Sequence, residues 1–523
     1  MNFSTMTLGI EFGSTRVKAV LIDQSFRVRA EGVYDWENSF EGGYWTYGHD
    51  EILTALQQSF AALSKQVCDK YGAPLTTVGA IGLSAMMHGY IALDENDRFL
   101  VPFRTWRNTT TGEAAEKLTK LFSFNIPERW SVAHLYQAIL NGEEHVKDIR
   151  ALTTLAGYLH YRLTGVRTVG VGEAAGMFPI DDATCDYDKT MLAKFDALCG
   201  GYPWKLRDLL PEVRTAGQAA GTLTEEGARL LDPTGGLQPG IPLCPPEGDA
   251  GTGMVATNSV KPRTGNVSAG TSVFAMVVLE RPLKNVYPEI DMVTTPDGSP
   301  VAMVHCNNCS ADIDAWAAML GGFAAQSGQS LTKGQVLDLI YNTALGGDED
   351  CGGLLSYNYL SGESITGVKT GVPLFLRPRG SALTFPNFAR NLLFSALATL
   401  SIGMELLQKE QVAIDCLYGH GGFFKAANAG QRMMAAATGS PVTVMQTASV
   451  GGPWGMAILA MYLLEGGGLS LADYLAKRVF KDAAQTTVQP DPKDTAGFAQ
   501  YKARYKQALP LEKTAQNVLY GEE

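Results

Sequence analysis

The chain opens on two apolar runs separated by a short polar turn. LGIEF, residues 8–12, leads into Gly13, Ser14 and Thr15, and then into RVKAVLI, residues 16–22. Alternation and β-branched content predict strand, turn, strand. The most familiar phosphate cradles run instead from a strand through glycines into a helix N-terminus. A third strand is expected near FRVRAEGVY, residues 26–34. The period then becomes helical: Ile52, Leu53, Leu56, Phe60, Leu63 and Val67 share one face between Asp50 and Tyr71. Asp50 is placed to cap that helix and Gly72 to end it. Another strand, VGAIGLSA, follows at residues 78–85.

The second half contains its own version of the first hairpin. GNVSAGTSVFAMVVLE, residues 265–280, has an apolar approach, a turn of Gly270, Thr271 and Ser272, and a β-rich departure. Either hairpin alone reads equally as an ordinary loop in which glycine supplies a positive φ. Two at matching places read as paired phosphate turns whose backbone N–H groups hold a triphosphate. Three meandering strands, a helix and a further strand resemble the opening of a ribonuclease H-like unit, which actin-like ATPases use twice. The expected fold class is therefore α/β, two such domains flanking a central cleft. The expected boundary lies near residue 258, giving domains 1–257 and 258–523.

Length agrees with this, since 523 residues exceed what one core usually holds. A net charge of -11 argues against a nucleic-acid or anionic-membrane surface. Eight dispersed cysteines suit free thiols in a reducing cytoplasm. Cys306 and Cys309 form a CxxC, but no second pair follows at zinc-site spacing. MNFSTMTLGI has no basic segment before an apolar core, so no signal peptide is read. The uncharged residues 433–464 are interrupted by Gln446, Ser449, Gly451, Gly452 and Pro453, which predicts a buried strand, a turn and a short buried helix. Trp454, Met456, Ile458 and Leu459 of that helix are expected in the core.

Candidate chemistry begins at IPLCPPEGDAGTGMV, residues 241–255. Asp249, ending a short apolar run beside glycines, is placed either to accept a proton from a substrate hydroxyl or to cap a helix. His88, after Met86 and Met87, is either a buried imidazole or a ligand contact. Trp106 is either a core aromatic or an apolar wall for a ligand.

Over almost its whole length the chain resembles the FGGY-type carbohydrate kinases. Residues 8–22 resemble the first phosphate motif and 265–275 the second. Met86 to Gly89 resembles a sugar-contacting Gln-Met-His-Gly segment, and YLHYRLTG, residues 158–165, matches a pattern of the N-terminal lobe. GHGGFFKAANAGQRMMAAATGSPV, residues 419–442, resembles the adenosine motif. The resemblance implies Asp249 as general base; Met87, His88, Gly89, Trp106, Arg107 and Asn108 on the sugar; Gly13, Ser14, Thr15, Lys18, Gly270 and Thr271 on phosphates; and Gly421 and Gly422 on the adenine side. Glu11 stands where the family usually has Asp and would hold Mg²⁺, through water if necessary.

Departures are Asn108 where many relatives carry a substrate-side Asp, Phe423 at the third glycine of the adenosine motif, and Val450 where related chains often have Glu. An amide donates as well as accepts, so the hydroxyl pattern read by Asn108 is expected to differ. The implied activity is ATP-dependent phosphorylation of a ketose, a pentulose first, or a related polyol, with a homodimer as the default assembly. Two other readings stay open: a silent sugar- or nucleotide-binding sensor, and an ATPase that needs no sugar.

Overall fold

The computed structural model describes residues 2–426, 428–445 and 451–521. Two compact units divide the chain. The first is Met1–Val260 with Asp291–Val301 and Val450–Asp482; the second is Lys261–Ile290, Ala302–Ser449 and Ala483–Glu523.

The sheet of the first unit has five strands in the order Glu247–Gly248, Ala80–Ala85, Thr7–Phe12, Arg16–Ile22, Val28–Asp35. Thr7–Phe12 runs antiparallel to Arg16–Ile22 and parallel to Ala80–Ala85. Counted along the chain the order is 3-2-1-4-5, the layout of the expected unit. Helix His49–Tyr71 buries Ile52, Leu56, Phe60, Leu63 and Val67 against this sheet, while Leu53 stays half-buried at the edge. Its N-cap is Gly48, so Asp50 lies in the first turn, where its charge favours the helix dipole, and Gly72 ends it at φ +65°.

Helix Gly452–Glu465 completes the same unit from far along the chain. A Cβ on Gly9 would stand 2.1 Å from the Pro453 carbonyl oxygen, so strand and helix meet backbone to backbone. The Thr7 hydroxyl donates to the Ala457 carbonyl at 2.8 Å, and Trp454 Nε1 donates to the Phe26 carbonyl at 2.8 Å. Trp454, Met456, Ile458 and Leu459 are buried, as their pattern indicates. The strand expected before this helix is Val442–Met445; Gln446, Ser449 and Val450 lie outside the described residues.

In the second unit, Pro300–Cys306, Val273–Val278, Thr264–Ala269, Cys416–His420, Val442–Met445 and Gln485–Val488 are successive neighbours in a seven-stranded sheet. The first five repeat the 3-2-1-4-5 order, again with an antiparallel hairpin and parallel later strands. Helix Phe385–Lys409 is long and apolar enough to cross a membrane, but 78% of its apolar window is buried inside the protein. Cys306 and Cys309 are free, buried thiols, and burial pushes Cys309 up to about 12. A thiol at that value is a poor nucleophile at neutral pH.

Candidate active site

The first turn is held from outside rather than by its glycine. Gly13 donates to the Arg16 carbonyl at 2.9 Å, and φ at Gly13 is not positive. Trp36 Nε1 donates to the Gly13 carbonyl at 2.7 Å, and the Tyr47 hydroxyl donates to the Ser14 carbonyl at 2.6 Å. Trp36 and Tyr47 stack with centroids 4.0 Å apart. Two rings thus pin the turn's carbonyls and leave Ser14 half-buried and Thr15 exposed. Lys18 forms an ion pair with Glu31 at 2.8 Å.

Glu11, on the strand before the turn, points its carboxylate at the start of helix Gly452–Glu465. A Cβ on Gly452 would stand 1.7 Å from Glu11 Oε2, and the Thr252 hydroxyl donates to the same oxygen at 3.2 Å. Burial, with the charge of Asp249, lifts Glu11 from 4.5 to about 8. A cation beside this carboxylate would oppose both effects by favouring its ionised form. No set of three or more His, Cys, Asp or Glu side chains among the described residues converges to cage a metal by itself. The donor set still fits magnesium, which keeps several waters and takes phosphate oxygens besides one or two carboxylates.

Asp249 is the first residue of helix Asp249–Ala256, and the cap is Gly248. Its Oδ1 accepts the Met87 N–H at 3.1 Å, and the residue is exposed. Crowding still desolvates the carboxylate and raises its pKa, against the opposing pull of the Met87 and Ala250 amides. Surface area decides what a ligand can reach, and the side chain is reachable. Next to it, His88 and Gly89 have φ of +74° and +95°. For a histidine this is strained backbone, held because Gly89 donates to the Arg129 carbonyl at 3.1 Å and the Ser131 hydroxyl donates to the Gly89 carbonyl at 2.6 Å. The His88 ring is buried, with Nδ1 3.4 Å from the Gly176 carbonyl. Burial drives its pKa well below 6.5. The neutral ring donates from Nδ1 and keeps Nε2 as an acceptor, the polarity that reads a hydroxyl.

Glu173 and Glu247, which sequence reasoning passed over, back this wall. Both are buried, and Glu247 Oε2 accepts the Glu173 N–H at 3.0 Å. Glycines make room for them: a Cβ on Gly170 would lie 2.0 Å from Glu247 Oε1, and one on Gly248 would lie 2.6 Å from Glu173 Oε2. Burial lifts Glu247 to about 8 and Glu173 well above its ordinary value. The only available signal was Glu247-Gly248-Asp249 itself, an acid ending an apolar run.

Trp106 is 41% exposed, which removes the core reading, and its Nε1 donates to Ser14 Oγ at 3.2 Å. Arg107 is exposed and lies 4.1 Å over the Trp45 ring. Asn108 differs from expectation. It is buried, its Oδ1 accepts the Trp45 N–H at 2.8 Å, and its Nδ2 donates to the Trp45 and Thr105 carbonyls at 2.9 and 3.0 Å. Its amide satisfies backbone in place of open space, because the loop turns back on itself here.

In the second unit the turn and the adenosine-motif glycines come together. Gly421 follows strand Cys416–His420, which pairs with Thr264–Ala269, and a Cβ on Gly421, at φ +100°, would stand 2.4 Å from the Ala269 carbonyl oxygen. Thr271, Gly421 and Gly422 are exposed around this point. Gly270 lacks the positive φ of an ordinary loop glycine, and a Cβ there would meet only open space. Ser310 donates to the Gly270 carbonyl from its N–H at 2.9 Å and its hydroxyl at 2.7 Å, and Cys309 N–H donates to the Thr271 carbonyl at 2.9 Å. Phe423 is buried with its ring 5.4 Å from Tyr341, so it packs inward, away from the exposed glycines.

Two family descriptions match the chain: the N-terminal domain of the FGGY family of carbohydrate kinases over residues 6–256, and the C-terminal domain over 265–464. A xylulose kinase of Haemophilus influenzae is 23% identical over 417 residues, 77% of this chain and 80% of that protein. Among solved structures, a ligand-bound xylulose kinase from Lactobacillus acidophilus has a TM-score of 0.79 at 17% identity, covering 99% of both chains. A gluconate kinase from the same organism has a TM-score of 0.78 at 17% identity, also over 99% of both. With both domains matched over more than half its length and the same fold throughout, the chain belongs to the FGGY family of carbohydrate kinases.

Proposed function

We propose that this carbohydrate kinase transfers the γ-phosphoryl group of ATP to a hydroxyl of a ketose, with pentuloses the first choice and related polyols next. The observation that carries the reading is Asp249, a reachable carboxylate oriented by the Met87 amide beside the neutral imidazole of His88. Xylulose kinases among the relatives favour a pentulose.

In the mechanism, His88, Met87 and Gly89 with Trp106 orient the sugar, and Asp249 takes the hydroxyl proton as the sugar oxygen attacks phosphorus. Backbone N–H groups around Gly13, Ser14, Thr15, Gly270 and Thr271 bind phosphate oxygens, and Gly421 and Gly422 let the nucleotide approach the chain. Lys18 is available once it leaves Glu31, because an ion pair this exposed holds only about 0–1 kcal/mol. Glu11 would hold Mg²⁺, whose charge supplies stabilisation of the phosphate oxygens. A homodimer in a reducing cytoplasm completes the proposal, in keeping with eight free thiols.

The experiment is ADP release with and without a panel of ketoses and polyols. Release that requires a sugar is expected, and the strongest substrate names it. Release without sugar would make the protein an ATPase, and none with any sugar would make it a sensor.

A further inference from the structure

Several cations of the first unit are engaged in ion pairs. Arg16 pairs with Asp35 at 2.7 Å and Lys18 with Glu31 at 2.8 Å. Arg104 is held by Glu143, and Arg129 by Asp291. Arg107 has no carboxylate within ion-pair distance among the described residues. It is exposed, and of its five N–H groups one is used: Nη1 donates to Asn38 Oδ1 at 2.9 Å.

The guanidinium is nevertheless not loose. It lies 4.1 Å over the Trp45 ring, and that residue's backbone is locked by Asn108. Asn38, its hydrogen-bond partner, also faces the Tyr47 hydroxyl, which holds the Ser14 carbonyl. Its chain neighbour Trp106 donates to Ser14 Oγ. Arg107 and the Gly13 to Thr15 turn are therefore braced as one assembly, by two aromatic hydrogen bonds and a stacked ring. An unpaired, pre-oriented guanidinium fork matches a phosphoryl group bidentately, which a lysine cannot do.

We propose that Arg107 is a catalytic residue that hydrogen-bonds the phosphoryl group in transfer, offsetting the charge on its oxygens. The role rests on the kinase reading above. The new bond joins the sugar oxygen to phosphorus, the bond to the ADP oxygen breaks, the hydroxyl proton passes to Asp249, and Arg107 keeps all its protons. An interaction of this kind strengthens only as charge spreads over the equatorial oxygens, so its loss falls on kcat.

The test is steady-state kinetics of Arg107→Ala and Arg107→Lys with the sugar that the parent protein prefers. Losing one donor aimed at transition-state charge typically costs about 10²- to 10³-fold in kcat. Arg107→Ala is expected to lose that much with the sugar KM and the melting temperature unchanged, Arg107→Lys to lie between, and guanidinium ion in the buffer to restore part of the Ala variant's rate. A raised sugar KM with full kcat at saturation would make Arg107 a sugar contact and overturn the proposal. Unchanged kinetics in both variants would do the same while leaving the kinase reading intact. A parent protein that releases no ADP with any sugar removes both.

Discussion

Replacing Glu247 by Gln separates the cost of burying a charge from the shape that buries it. The carboxyl is fully enclosed, its Oε1 has no hydrogen-bond partner, and burial moves it from 4.5 to about 8. Because the folded pKa lies above the unfolded one, the folded state keeps a proton that the unfolded chain releases above about 4.5. The contribution to stability is therefore whole below that pH and drains away as pH rises towards 8. At about 1.4 kcal/mol per pH unit, the loss between pH 5 and pH 8 has a ceiling of about 4 kcal/mol. Gln cannot ionise, and its carbonyl oxygen can still accept the Glu173 N–H. Thermal melting of parent and Glu247→Gln at pH 5 and pH 8 reads the difference. The two should nearly coincide at pH 5. At pH 8 the variant should melt higher by on the order of 10 °C, taking about 2–4 °C per kcal/mol for a large domain. Glu11 titrates in both proteins and cancels in the comparison, whereas Glu173 loses the repulsion of the Glu247 charge in the variant, which adds to the variant's advantage at pH 8. An offset equal at both pH values, or a variant that melts lower at pH 8, would refute the argument.

Three other substitutions test separate parts of the site. Asp249→Asn should bind ATP as the parent does and lose about 10²- to 10⁴-fold in kcat, measured by sugar-dependent ADP release. Gly421→Ala should cost at least about 1–2 kcal/mol, from a side chain at φ +100° and a Cβ 2.4 Å from the Ala269 carbonyl oxygen, and should raise the nucleotide KM; denaturation and titration with ATP read the two effects. Asn108→Asp should destabilise the protein by about 1–3 kcal/mol in urea unfolding at pH 7, because an ionised carboxylate would face the Trp45 and Thr105 carbonyls with no proton to donate.

The parts of the fold carried by local pattern were legible beforehand. The two hairpins, the helix ending at Gly72 and the buried helix holding Trp454 each announce themselves through period and punctuation within a short window. The sequence points to a cap at Asp50, two residues later than the real one, because Gly48 caps the helix through backbone alone and leaves no side-chain signature. What escaped was decided by partners far away in sequence. Asn108 invites comparison with a substrate ligand until Trp45, 63 residues earlier, is seen to take up its amide. Glu173 and Glu247 are unremarkable in composition and become a buried acid pair only because Gly170, Gly172 and Gly248 vacate the space around them. The positive φ expected of a loop glycine was absent at Gly13 and Gly270, where aromatic and serine donors do the bracing from outside.

The long-distance completion of the first sheet by Gly452–Glu465 bears on how the polypeptide is made. During synthesis, strand Thr7–Phe12 leaves the ribosome more than four hundred residues before the helix that covers it. Until then the bare groove at Gly9 and Gly82, fitted to Pro453 and Met456, is open to whatever apolar surface is nearby. A fragment cut after Val260 is for that reason not a separable domain but a sheet with one side missing, and the nascent chain depends on that side being shielded until Gly452–Glu465 has emerged.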